Sequence, residues 1–78
     1  MDLDVFKDSG QFYTRGPGTA EPVRWIKDDG YWVSNREEIP ESANKVSLEE
    51  LPTELQEEML AYAVRTSKMG IQYRNPMN

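Results

Sequence analysis

The sequence predicts an α+β domain: a small antiparallel sheet from two β-hairpins, arranged as a four-strand meander, packed by one C-terminal α-helix with a short helical turn before it. Three observations predict it. The first half holds two gapless copies of one pattern, Val5–Tyr13 and Trp25–Val33, each an apolar pair, then Lys-Asp-x-Gly, then an aromatic-rich run. The second half opens with Ser47-Leu48-Glu49-Glu50, the form of a capping box. Beyond it, apolar residues recur at helical spacing from Leu55 to Met69.

Lys-Asp-x-Gly between β-forming segments suits a hairpin loop built on a type I turn followed by glycine in the left-handed region. Asp bonds the turn backbone, and Gly takes positive φ without steric cost. The predicted strands are Leu3–Lys7, Gln11–Arg15, Val23–Lys27 and Tyr31–Ser34. Between the hairpins, residues 16–22 (Gly-Pro-Gly-Thr-Ala-Glu-Pro) can hold neither helix nor ladder. Internal duplication and convergent turn chemistry both account for the near-repeat.

Asn35–Lys45 is polar, proline-bearing and acidic, and is expected to be a surface connector. It gives a single domain over 1–78: hairpins in 1–34, acidic connector in 35–46, helical segment in 47–70, tail in 71–78. Val46 at N′ and Leu51 at N4 add a hydrophobic staple to the capping box. Pro52 would remove an internal hydrogen bond from a continuous helix. The expectation is therefore a short turn over Leu48–Leu51 and a main helix restarting at Pro52 or Thr53. It should end near Met69, with Gly70 as a left-handed stop. Ile71-Gln72-Tyr73 would then form a short strand or a strap, and Arg74–Asn78 would fray.

At 100° per residue, Leu55, Met59, Tyr62, Ala63, Thr66 and Met69 fall on one stripe of about 120°, the expected core face. Leu60 and Val64 lie on a second shoulder. Either the tail covers them or another chain does. The predicted core is Trp25, Ile26, Val33, Leu51, Leu55, Met59, Tyr62 and Ala63.

Composition removes several functions. With no cysteine and no histidine, disulfides and the usual zinc and haem sites are excluded, and no cofactor is expected. No run approaches the length of a membrane span, and Met1-Asp2-Leu3-Asp4 is unlike a signal peptide, so a complete, soluble, cytoplasmic chain is expected. Nucleophile–base pairs lack their usual residues. The paired acids Glu37/Glu38, Glu49/Glu50 and Glu57/Glu58 read as solvated faces, so no enzyme is expected. Gly16-Pro17-Gly18 leads to no helix and matches no phosphate loop.

Fourteen acids against nine bases give a net charge of −5. Eight of those acids, with Lys45 alone among the bases, lie between Glu37 and Glu58. Such a surface disfavours direct nucleic-acid and membrane binding and steers toward basic surfaces. The functional expectation is a non-enzymatic, acidic protein-binding module, an inhibitor or adaptor that occludes part of a macromolecular machine. Its partner would be another protein, a basic nucleic-acid-handling protein being the candidate by charge. The class resembles the small inhibitors that phages and mobile elements direct at host machinery, which would place it in the host cytoplasm; that is analogy of class alone. Leu60 and Val64 are the expected apolar anchors, with Glu54, Glu57 and Glu58 as the charged rim. The alternative is a self-associating assembly subunit, a homodimer through the same shoulder. A third reading is single-strand nucleic-acid binding by stacking on Trp32 and Tyr13.

Overall fold

The computed structural model describes the backbone of residues 3–74 and the side chains of residues 3–66. Its strands are β1 (Asp4–Asp8), β2 (Gln11–Arg15), β3 (Val23–Asp28), β4 (Tyr31–Arg36) and β5 (Asn44–Lys45), followed by a 3₁₀ turn at Leu48–Glu50 and one helix, α1 (Thr53–Arg74). The architecture is α+β. The strands form one antiparallel sheet in the order β4-β3-β2-β1-β5, so β1–β4 make the expected meander.

Each hairpin closes more tightly than expected. Asp8 pairs with Gln11 and Asp28 with Tyr31, leaving two-residue loops. Ser9 and Gly10 have φ of 50° and 79°, and Asp29 and Gly30 have 52° and 83°. Two successive positive φ angles define a type I′ turn, which replaces the predicted type I turn plus glycine. Its twist matches the right-handed twist of the flanking strands, whereas a type I turn would splay them.

The acidic connector is also corrected. β4 runs on to Arg36, and Asn44–Lys45 forms a fifth strand that pairs with β1 through Phe6↔Lys45 and Lys7↔Asn44. Without it β1 would be an open edge with unpaired backbone groups. The Val46 N–H extends the pairing by donating to the Val5 carbonyl at 2.9 Å.

One sheet face packs on α1. Val5, Val23 and Trp25 form a core with Leu51, Leu55 and Met59. The Trp25 ring meets Tyr62 edge-on at 5.6 Å, and its Nε1–H donates to the buried Thr14 Oγ1 at 2.9 Å. Leu55, Met59 and Ala63 are fully buried, as the helical stripe predicts. Strand alternation sends Phe6, Tyr13, Arg24, Ile26 and Val33 to the opposite face. Ile26 and Val33, both expected in the core, oppose each other there: Ile26 is half-buried and Val33 is 42 % exposed. Tyr13 is buried on this second face yet lies outside the helix-side cluster. Residues 37–43 must cross the sheet from the β4 edge to β5. Their start lies on the same second face, where Glu37 Oε1 stands 3.2 Å from Arg24 Nε.

The helix outruns its expected stop. It passes through Gly70 and continues to Arg74, so Ile71–Tyr73 is helix rather than strand or strap. A glycine inside a helix costs only about 1 kcal/mol, and the first proline beyond it is Pro76. Residues 75–78, expected to fray, lie outside the described residues.

Candidate partner-binding surface

The site begins with how the helix starts. Ser47 caps the 3₁₀ turn in the predicted capping box, its N–H donating to Glu50 Oε2 at 2.9 Å. The Ser47 hydroxyl donates to the Glu49 carboxylate. That bond, with help from Glu49's own backbone N–H, holds the Glu49 carboxyl below its usual range. The chain then breaks at Leu51-Pro52 and restarts as α1, the Gln56 N–H closing the first bond on the Pro52 carbonyl at 3.0 Å. Gln56 Nε2 donates to the Leu51 carbonyl at 2.8 Å, which ties the two helical pieces together.

These contacts sort the acidic block. Glu37 is spent on Arg24, and Glu49 and Glu50 on the cap. Among the described residues, no ion pair engages Glu54, Glu57 or Glu58. All three are exposed on the first turns of α1 and face the tip of the β3–β4 hairpin. Together with Gly30, Tyr31 and Trp32 they line an open cleft of about 280 Å³. Tyr31 is 74 % exposed. Trp32 is half-buried, with its indole Nε1 buried and unpartnered among the described residues. Lys27 Nζ lies 5.8 Å from the centre of the Trp32 ring, within cation–π range.

Leu60 and Val64 stand elsewhere. They are 43 % and 41 % exposed, as the second shoulder requires. Helical geometry puts Leu60 about 160° round the axis from Glu58. The predicted rim and the predicted anchors therefore belong to two surfaces, with Glu57 adjoining both. The hairpin tip was missed as a site component. Its signal was the substitution of Tyr31 for Gln11 at matching positions of the near-repeat.

The nucleic-acid pair is separated by the fold. Trp32 packs on the helix side, whereas Tyr13 is 4 % exposed on the other, so the two rings offer no common stacking platform. The strand cations are also engaged: Arg15 with Asp4 at 3.8 Å and over the Phe6 ring, Arg24 with Gln11 and Glu37. Among the described residues, no three acids converge on a metal-sized site, and no helix is long and apolar enough to cross a membrane. Comparison with protein-family profiles, curated proteins and solved structures finds no match to this chain.

Proposed function

We propose that the protein is a non-enzymatic binding module that captures a basic segment of another protein in the cleft between α1 and the β3–β4 hairpin tip. The observation that carries this reading is the joining of three exposed carboxylates, Glu54, Glu57 and Glu58, to the hairpin tip Gly30–Trp32 in one open cleft, where strand alternation puts the Trp32 ring on the helix side. A guanidinium or ammonium group gains twice there: it donates charge-assisted hydrogen bonds to the carboxylates and is attracted to the Trp32 ring beside them. Arginine suits it better than lysine, because its planar group can stack and bond at once. Occlusion of such a segment would make the module an inhibitor or adaptor, and nucleic-acid-handling proteins are rich in basic segments of this kind. The mean charge supports the same partner class, since a net −5 accelerates encounter with a basic surface.

The test is a fluorescence titration with an arginine-rich peptide, read from the tryptophans at low and high salt, beside a Glu54→Lys/Glu58→Lys variant. Binding should weaken with salt and fall by about tenfold or more on charge reversal. Equal affinity for the parent and the reversed variant would sink the reading. A pull-down with the same two baits then names the partner.

A further inference from the structure

We propose that the open edge of β4 is a strand-docking site, and that the basic segment binds there as a sixth strand of the five-stranded sheet. This rests on the cleft reading above and adds to it the conformation and side-chain pattern of the segment. The sheet order leaves two edges, and the fold treats them differently. β5, at one edge, is two residues long and offers little to template another strand. β4, at the other, is six residues long and pairs with β3 in an unbroken ladder from Val23↔Arg36 to Asp28↔Tyr31. It carries no proline and no lysine. Shortness, bulges, proline and lysine are the means by which natural sheets guard an edge. The one charge on β4, Arg36, sits at its far end and is paired with Glu21.

The register fixes which backbone groups are free. The Glu37 N–H donates to the Pro22 carbonyl at 3.1 Å, so that position is a hydrogen-bonded pair. Bonded and non-bonded pairs alternate along an antiparallel ladder. Asn35, Val33 and Tyr31 therefore bond to β3, whereas Trp32, Ser34 and Arg36 turn their N–H and C=O groups outward. Among the described residues, no backbone group takes these up. Donors and acceptors at every second residue of an edge match an extended main chain. The two faces then set the side chains of that chain. On the helix side, the residue laid opposite Trp32 borders the cleft of Glu54, Glu57 and Glu58, which selects a base. On the other face, its neighbour lies against Val33, which is 42 % exposed, and this selects a β-branched or apolar side chain. The occupant is a segment of another protein in which basic and apolar residues alternate.

Two peptides of one composition separate pattern from charge: arginine and valine in strict alternation, and the same residues grouped in pairs. Tryptophan fluorescence of the full chain should show the alternating peptide binding about tenfold tighter. Ser34→Pro removes an outward N–H and sets its ring in the path of the added strand, at an edge position where proline leaves the β3 ladder intact. Its far-ultraviolet circular dichroism spectrum should match the parent, and the tenfold advantage should vanish. N-methylated alternating peptides make the same test on the unaltered protein. Successive amides of a strand point to opposite sides, so methylating the arginine amides alone or the valine amides alone should give one inactive and one active peptide. Equal binding of the alternating and grouped peptides, or an equal response to both methylated sets, would overturn the added strand. So would a dimer of the unliganded parent in sedimentation equilibrium that Ser34→Pro abolishes, because the edge would then belong to a second copy. Loss of both peptides with Glu54→Lys/Glu58→Lys, but of neither with Ser34→Pro, would refute the edge and leave the cleft. The reverse pattern would refute the cleft and leave the edge.

Discussion

The bond between Trp25 and Thr14 is the most informative single contact in the fold. Thr14 is 0 % exposed and Trp25 4 %, and Nε1–H donates to Oγ1 at 2.9 Å. Thr14→Val keeps the β-branched shape that strand β2 favours and changes little volume, but it deletes the acceptor. The indole N–H is then buried with no partner, which costs about 1–3 kcal/mol. A chain of this length holds roughly 4–12 kcal/mol in all, so the loss is a large share. At about 2 kcal/mol the midpoint of thermal unfolding should fall by roughly 8–16 °C. Trp25→Phe removes the donor instead, and also weakens the edge-on contact with Tyr62. The double variant leaves neither partner stranded, so its cost should fall short of the sum of the singles by about 1 kcal/mol. Urea and thermal unfolding followed by far-ultraviolet circular dichroism measure all three without relying on the altered indole. A Thr14→Val midpoint within roughly 2 °C of the parent, or strict additivity in the double, would refute the assignment of this bond as a stabilising buried pair.

Leu55→Ala, at a fully buried position in the core cluster that holds Trp25, should cost about 3–5 kcal/mol and leave the chain partly unfolded at 37 °C, as read by urea midpoints. The hairpin loops should respond in opposite directions. Gly30→Ala meets no atoms but must hold φ near +83°, costing about 1–2 kcal/mol, whereas Ser9→Asn creates the favoured Asn-Gly loop and should raise the urea midpoint. Ser47→Ala should lower stability by about 1 kcal/mol and release the Glu49 carboxyl toward its ordinary pKa, measurable by NMR titration. Because the folded pKa of Glu49 is depressed, its contribution is present above the unfolded carboxylate range and is lost as pH falls through the folded value. The Ser47→Ala chain should therefore show a smaller acid-side loss.

What the sequence disclosed was local. Capping box, helix restart, strand positions and the buried stripe Leu55–Met59–Ala63 each depend on neighbours within a few residues, and all are read from spacing. What it withheld was relational. Asn44-Lys45 has no strand propensity to advertise and becomes β5 only because β1 needs an edge partner. Ile26 and Val33 look like core residues by type, yet the face they take is settled by Trp25, whose bulk and indole bond commit the adjacent position to the helix side. For the candidate site, the carboxylates Glu54, Glu57 and Glu58 were legible as an acidic helix start. Their meeting with Gly30–Trp32, some twenty-five residues earlier, was not.

The near-repeat acquires a physical meaning from the register. Matching residues take matching faces: Val5 and Trp25 point to the helix, Phe6 and Ile26 away from it. Lys7 Nζ lies 5.9 Å from the centre of the Phe12 ring, and Lys27 Nζ 5.8 Å from that of Trp32. In the sheet, however, Val5 stands in one row with Thr14 and Val23, not with Trp25. The second hairpin is thus staggered along the strands by two residues relative to the first. A two-residue shift preserves every facing, whereas a one-residue shift would turn Trp25 outward and empty the core. The stagger also brings Phe12 against Trp32 edge-to-face at 6.1 Å, linking the copies across the sheet. With facing held in common, the copies are free to diverge only in size and polarity. The substitution of Trp25 for Val5 meets Tyr62 on the helix, and that of Tyr31 for Gln11 lines the acidic cleft. The second hairpin differs from the first at points where it holds α1 and borders the acidic cleft.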